Sequence, residues 1–143
     1  MTAKELFDRI GLPPCGETLG WHVIEARPAD GWIKNGYDGR PAFCNPSGFV
    51  AGGFLAAMLD DTMALALVAM TDQKFFPLSL SMTVNFLAPA KPGPIIAEGR
   101  VTQLGKSVAF IEGKLLDADG TVLATASTNA RLIEASKVLR RPD

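Results

Sequence analysis

Residues 50–70 read VAGGFLAAMLDDTMALALVAM, and only Asp60, Asp61 and Thr62 among them are polar. A helix that is apolar on every side has to be enclosed by something. Two adjacent carboxylates inside such a helix must be paired, neutralised or used, because an isolated buried charge is costly. Asp60 and Asp61 therefore mark where the chemistry of this chain is to be sought. The run is about as long as a membrane span. Its acids, however, sit at the midpoint, where a bilayer tolerates charge least, and the apolar stretches on either side are too short to cross. The expectation is no membrane segment, but a central helix wrapped by the rest of a soluble fold.

A chain of 143 residues fits one domain over 1–143, with an N-terminal helix and loop over 1–18 and a tail over 133–143. Its 14 basic and 15 acidic residues leave a net charge of −1, so no electrostatic footprint for nucleic acid is present. Cys15 and Cys44 are too few for a disulfide framework and too far apart in sequence for a metal motif. With no apolar signal region in MTAKELFDRIG, a reduced, cytoplasmic protein is expected. His22 is the sole histidine, which rules out a multi-histidine metal site, and no metal or cofactor is expected.

The periodicity alternates around the long helix. Residues 2–10 read as a short amphipathic helix with Thr2 as its cap and Gly11 as its stop, and Pro13, Pro14 and Gly16 read as a loop. Residues 19–27 and 32–37 read as two strands about the turn Pro28-Ala29-Asp30-Gly31. After the helix, residues 79–86 alternate Leu80, Met82, Val84 and Phe86 with Ser79, Ser81, Thr83 and Asn85, a strand with one apolar and one small polar face. Residues 95–104 and 108–117 form a hairpin about Gly105-Lys106-Ser107. Pairing Leu104 with Val108 sets Arg100 opposite Glu112 and Glu98 opposite Lys114, two opposite-charge pairs on one face. The other face, with Ala97, Gly99, Ala109 and Gly113, is small enough for a helix to lie close. Residues 122–132 are the last strand, with Ala124, Ala126 and Ala130 inward. The predicted fold is α+β, one antiparallel sheet curled around one buried helix, with exposed strand edges that call for pairing between chains.

The segment Asn45-Pro46-Ser47-Gly48-Phe49-Val50-Ala51-Gly52-Gly53, with Asp60 seven residues after Gly53, resembles the active-site signature of hotdog-fold acyl-CoA thioesterases, in particular the phenylacetate-degradation type. Asn85-Phe86-Leu87-Ala88-Pro89-Ala90 is similar to that family's third strand and its loop, and Gly105-Lys106-Ser107 with Ala109-Phe110 to its next hairpin. The resemblance covers residues 19–132. It implies an acyl-CoA substrate and a homodimer or homotetramer. Asp60 becomes the nucleophile or general base, its side chain projecting across a subunit interface. The Gly52 N–H becomes an oxyanion donor, Asn45 a polar amide beside the thioester, and Ser79 a strand hydroxyl that positions water or substrate. Gly53 and Ala51 adjoin the substrate; Lys106, Ser107 and Lys91 are candidates for contacts with coenzyme A. Burial should raise the proton affinity of a base at Asp60. Asp61, turned about 100° away on the helix, cannot serve the same site and is expected to pair with a basic residue or cap a loop.

One departure stands out. The family often has histidine where Ala51 lies. A non-catalytic acyl-CoA-binding module on the same fold is therefore the alternative, whereas a dehydratase needs a histidine–acid pair that His22, far from the motif, does not supply.

Overall fold

The computed structural model describes residues 2–138. Helix α1 (Ala3–Ile10) packs against the first strand. Its start is a reciprocal cap: Glu5 N–H donates to Thr2 Oγ1 at 3.1 Å, and Thr2 N–H donates to Glu5 Oε2 at 2.6 Å. The expected loop that follows is instead a second helix, α2 (Pro14–Leu19). Proline in the first turn supplies a preset φ, and Gly20 at φ +69° ends the helix, so residues that read as breakers serve as its boundaries.

Strands β1 (His22–Arg27) and β2 (Trp32–Gly39) follow. Helix α3 (Gly52–Met70) is the centre of the molecule. After it come β3 (Phe75–Phe86), β4 (Gly93–Leu104), β5 (Val108–Leu116), β6 (Val122–Glu134) and a short helix α4 (Ala135–Val138). Part of the predicted tail is thus strand and helix, and residues 139–143 lie outside the described residues. The six strands make one antiparallel sheet in the order β1-β2-β4-β5-β6-β3.

The sheet curls around α3, which touches all six strands. Leu55, Met58, Leu59, Met63 and residues 65–69 of the helix are buried against Ile33, Ile95, Ala97, Ile111, Leu115 and the inward alanines of β6. Each large apolar side chain removed from water this way contributes roughly 1.5–3 kcal/mol. The helix is long and apolar enough to cross a membrane, but here it is the core of a wrapped sheet.

Close approach depends on two glycines. A Cβ on Gly99 of β4 would lie 2.9 Å from the Thr62 carbonyl oxygen, and one on Gly113 of β5 would lie 3.0 Å from Met63 Cγ. The small face of the hairpin is what lets the helix settle there. The predicted register holds from Ile96↔Leu116 to Val101↔Ile111, including Arg100↔Glu112 and Glu98↔Lys114. It then slips: a bulge at Thr102 pairs Leu104 with Ala109 rather than with Val108.

A second bulge matters more. The β3–β6 register shifts between Ser79 and Ser81. Ser79 faces Ala130 on the helix side of the sheet, while Ser81, Thr83 and Asn85 pair with Asn129, Ser127 and Thr125 on the other side. The predicted single polar face is therefore divided. The extra residue, Leu80, is 55% exposed, and Ser79, itself exposed, shares the face of Ala130 toward α3.

Candidate active site

Asp60 is partly buried on the middle turn of α3. The β3 bulge brings Ser79 to it, and Ser79 Oγ donates to Asp60 Oδ1 at 2.8 Å. Both residues belong to the same chain. Bulges re-aim side chains beside functional sites, and this one delivers a hydroxyl to the carboxylate.

Asp61 points elsewhere, as the helical rotation requires. Among the described residues it pairs with no cation, contrary to the expectation of a basic partner or a loop cap. Tyr37 of β2 donates its hydroxyl to Asp61 Oδ2 at 2.6 Å. Thr62 Oγ1 lies 2.8 Å from the same hydroxyl, and Asn35 Nδ2 donates to Thr62 Oγ1 at 3.2 Å. Asn35, Tyr37 and Thr62 are fully or almost fully buried. Burial raises the proton affinity of Asp61; the Tyr37 bond opposes that, and the neighbouring Asp60 charge adds to it. Burial, then the Asp61 charge, pushes the Tyr37 phenol well above its ordinary value. This cluster was absent from the sequence reading. Its signal was Asn35, a polar residue on the inward face of β2 between Ile33 and Tyr37.

The start of α3 forms a second group. Val50 N–H donates to the Ala90 carbonyl at 2.8 Å, and Ala51 N–H to the Phe43 carbonyl at 2.9 Å, which anchors the chain just ahead of the helix. Among the described residues no side chain caps this end. Among the described residues the N–H groups of Gly52 and Gly53 have no protein acceptor. Such groups sit at the positive end of the helix dipole. A Cβ on Gly52 would lie 3.0 Å from Phe86 Cζ, so the ring occupies the space a side chain would need. Asn45 opens the preceding loop: its Oδ1 accepts from Ser47 N–H at 3.0 Å and from Phe49 N–H at 3.2 Å. The turn thus engages the carbonyl of the side chain and leaves its NH2 available. Asn45, Gly52, Phe49, Leu55, Phe86 and Leu87 line one cavity of about 460 Å³.

The predicted residues therefore fall into two groups, Asn45 with Gly52 and Asp60 with Ser79. Along α3, Asp60 lies eight positions after Gly52, about 12 Å at 1.5 Å per residue. Lys106 and Ser107 lie exposed in the β4–β5 turn, and Lys91 lies exposed between β3 and β4. Of the aromatic residues, Trp21 and Phe43 are core. Phe54 is 37% exposed and stacks on Phe43, ring centres 4.2 Å apart, while Trp32 lies under the Arg27 guanidinium. His22 covers Gly36 on β2 and stands apart from both groups, as expected of a structural residue. Both cysteines are free.

The profile of the thioesterase superfamily matches residues 47–124. A phenylacetic acid degradation-related protein of Ralstonia eutropha, itself a thioesterase by inference, is 30% identical, with a TM-score of 0.83 over 90% of this chain and 96% of that one. A curated relative from Saccharolobus solfataricus, an esterase only by inference, is 32% identical over 87 residues, and the match spans 61% of each chain. The smu.793 protein of Streptococcus mutans, solved with acetyl-CoA bound, shares the fold at 16% identity, with a TM-score of 0.72 over 80% of this chain and 89% of that one. With its sheet wrapped around one long helix, the chain has the hotdog fold and belongs to the thioesterase superfamily.

Proposed function

We propose that this protein is a cytoplasmic acyl-CoA thioesterase acting as a homodimer or homotetramer, with each site built from two copies. The observation that carries this reading is the separation of the two residue groups on one helix. A thioester carbonyl cannot touch the Gly52 N–H and the Asp60 carboxylate of the same chain across about 12 Å. It can do so if Gly52 and Asn45 come from one copy and Asp60 and Ser79 from the other.

The exposed apolar residues support that pairing. Leu78, Leu80 and Phe86 lie on β3, an edge strand of twelve residues, and Leu87 follows it; each is 55–60% exposed. A long apolar edge is a template for another strand, and a second copy of β3 would cover it.

In the resulting site the thioester oxygen accepts from Gly52 N–H, with Asn45 Nδ2 and Gly53 N–H nearby. Asp60, oriented by Ser79, takes a proton from water as the water oxygen bonds to the acyl carbon. The carbon–sulfur bond then breaks, and the thiolate of coenzyme A leaves and recovers the proton. Direct attack by Asp60, through a mixed anhydride that water later cleaves, uses the same residues. Lys106, Ser107 and Lys91 are placed on exposed turns where phosphates can reach them, and the same fold holds acetyl-CoA in the Streptococcus mutans protein.

Ala51 favours a second reading, a module that binds acyl-CoA without cleaving it, because no imidazole stands beside Gly52. Release of free thiol from a panel of acyl-CoAs decides between the two. Thioesterase action predicts turnover by the parent and a loss of about a hundredfold or more in Asp60→Ala. Binding without turnover, or full turnover by Asp60→Ala, would overturn the assignment.

A further inference from the structure

The turn of α3 that carries Asp60 is fixed from several sides. Ser79 on β3 holds Asp60. Tyr37 and Asn35 on β2 hold Asp61 and Thr62. Gly99 of β4 lies under Thr62, and Gly113 of β5 lies under Met63. In the sheet, β2 and β3 stand on opposite sides of the β4-β5-β6 block, so the two polar ties grip the helix from both flanks. Among the described residues these are the only side-chain hydrogen bonds between α3 and the sheet.

Elsewhere α3 is apolar all round, and among the described residues no side chain caps its start. Apolar contacts are non-directional, so beyond the close packing on Gly99 and Gly113 they add little to set the rotation of the helix. A roll of a few tens of degrees would move the Asp60 carboxylate by ångströms.

The hydrogen bonds also have a direction. Asn35 Nδ2 donates to Thr62 Oγ1, which leaves the Thr62 hydroxyl proton for Tyr37, and Tyr37 donates to Asp61. The cluster is not the cheapest way to fill this space. Asn35 Oδ1 is buried without a partner, and apolar side chains of similar volume would leave no group unsatisfied. Directionality is what a polar cluster adds.

We propose that Tyr37, with Asn35 and Thr62, is a positioning cluster that sets the rotation of α3 and so aims the Asp60 carboxylate. This rests on Asp60 carrying the thioester chemistry. None of the three residues needs to touch substrate.

The test uses the full chain with Tyr37→Phe, Thr62→Val and Thr62→Ser. Acyl-CoA hydrolysis should show kcat lowered about tenfold to a hundredfold in Tyr37→Phe and Thr62→Val, with KM within about threefold of the parent. Thr62→Ser keeps the hydroxyl and should restore kcat. Hydrogen exchange gives a readout independent of activity. Amides of residues 58–64 should exchange about tenfold faster in Tyr37→Phe, while those of residues 65–69 stay unchanged. Parental kcat in folded Tyr37→Phe and Thr62→Val overturns the proposal, as does a lower melting temperature with unchanged kcat and exchange. A parent that hydrolyses no acyl-CoA defeats the functional reading instead, and the exchange comparison then still decides whether the cluster fixes the turn.

Discussion

Replacing Gly52 by valine separates backbone chemistry from folding. The position is the first residue of α3, and its absent side chain would point at Phe86, with a Cβ 3.0 Å from Cζ and 3.2 Å from Cε1. Phe86 is 55% exposed, so its ring can swing outward by the few tenths of an ångström required. Valine also has a somewhat better helix propensity than glycine. The two effects oppose each other, and the net change in stability should stay within about 1 kcal/mol. The effect on rate should be far larger. The branched side chain enters the cavity shared by Asn45 and Gly52, where the thioester oxygen must approach an N–H. Loss of one oxyanion donor costs roughly 3–4 kcal/mol in the transition state, or about a hundredfold to a thousandfold in kcat. Alanine, which adds one carbon, should lose less. Thiol release and a thermal melt on the same preparations read both quantities. A folded Gly52→Val protein that hydrolyses acyl-CoA at the parental rate would remove the backbone N–H from the mechanism.

Three further outcomes are expected. Asp60→Ala should lower thiol release by about a hundredfold or more with the melting temperature little changed, as the loss of a general base would. Asp61→Asn should report on pH in a melt series. The folded-state proton affinity of Asp61 is raised, so its contribution to stability is fully present below the ordinary carboxyl value of 3.8 and is lost as pH rises through the raised value. The asparagine variant should therefore melt higher than the parent at neutral pH, with the gap closing toward pH 4, and a gap that widens on acidification would contradict this. Leu80→Lys places a charge on the exposed β3 edge. Sedimentation at assay concentration should show monomers, and hydrolysis should fall with the loss of the assembly; an active monomer would refute the shared site.

The fold was legible because its strongest signals are global. An unbroken apolar run with a central acid pair fixes a buried helix, and alternation with small residues fixes strands that let the helix approach. Gly99 and Gly113 do what that pattern implied. The bulges at Leu80 and Thr102 were not legible, since each is one extra residue in a run that still alternates. The bulge at Leu80 had the greater consequence. It put Ser79 on the opposite face from Ser81, Thr83 and Asn85, and thereby beside Asp60. Helix α2 was missed because Pro14 and Gly20 punctuate both loops and helix ends. The partner of Asp61 was missed for another reason. Spacing along one helix gives the direction of a side chain, while the Tyr37 hydroxyl arrives from a strand 24 residues earlier.

In the proposed assembly one site draws Gly52 from one copy and Asp60 from another. Purified Gly52→Val and Asp60→Asn proteins, mixed under subunit exchange, probe this arrangement. A mixed dimer then carries one site with both wild-type residues and one with neither. With random exchange, half of the dimers are mixed and each holds one intact site of two, so about a quarter of the parental activity should return. If both groups acted within one chain, no intact site could form. Mixed dimers, verified by mass, that stay as inactive as either variant alone would rule out a site shared between copies.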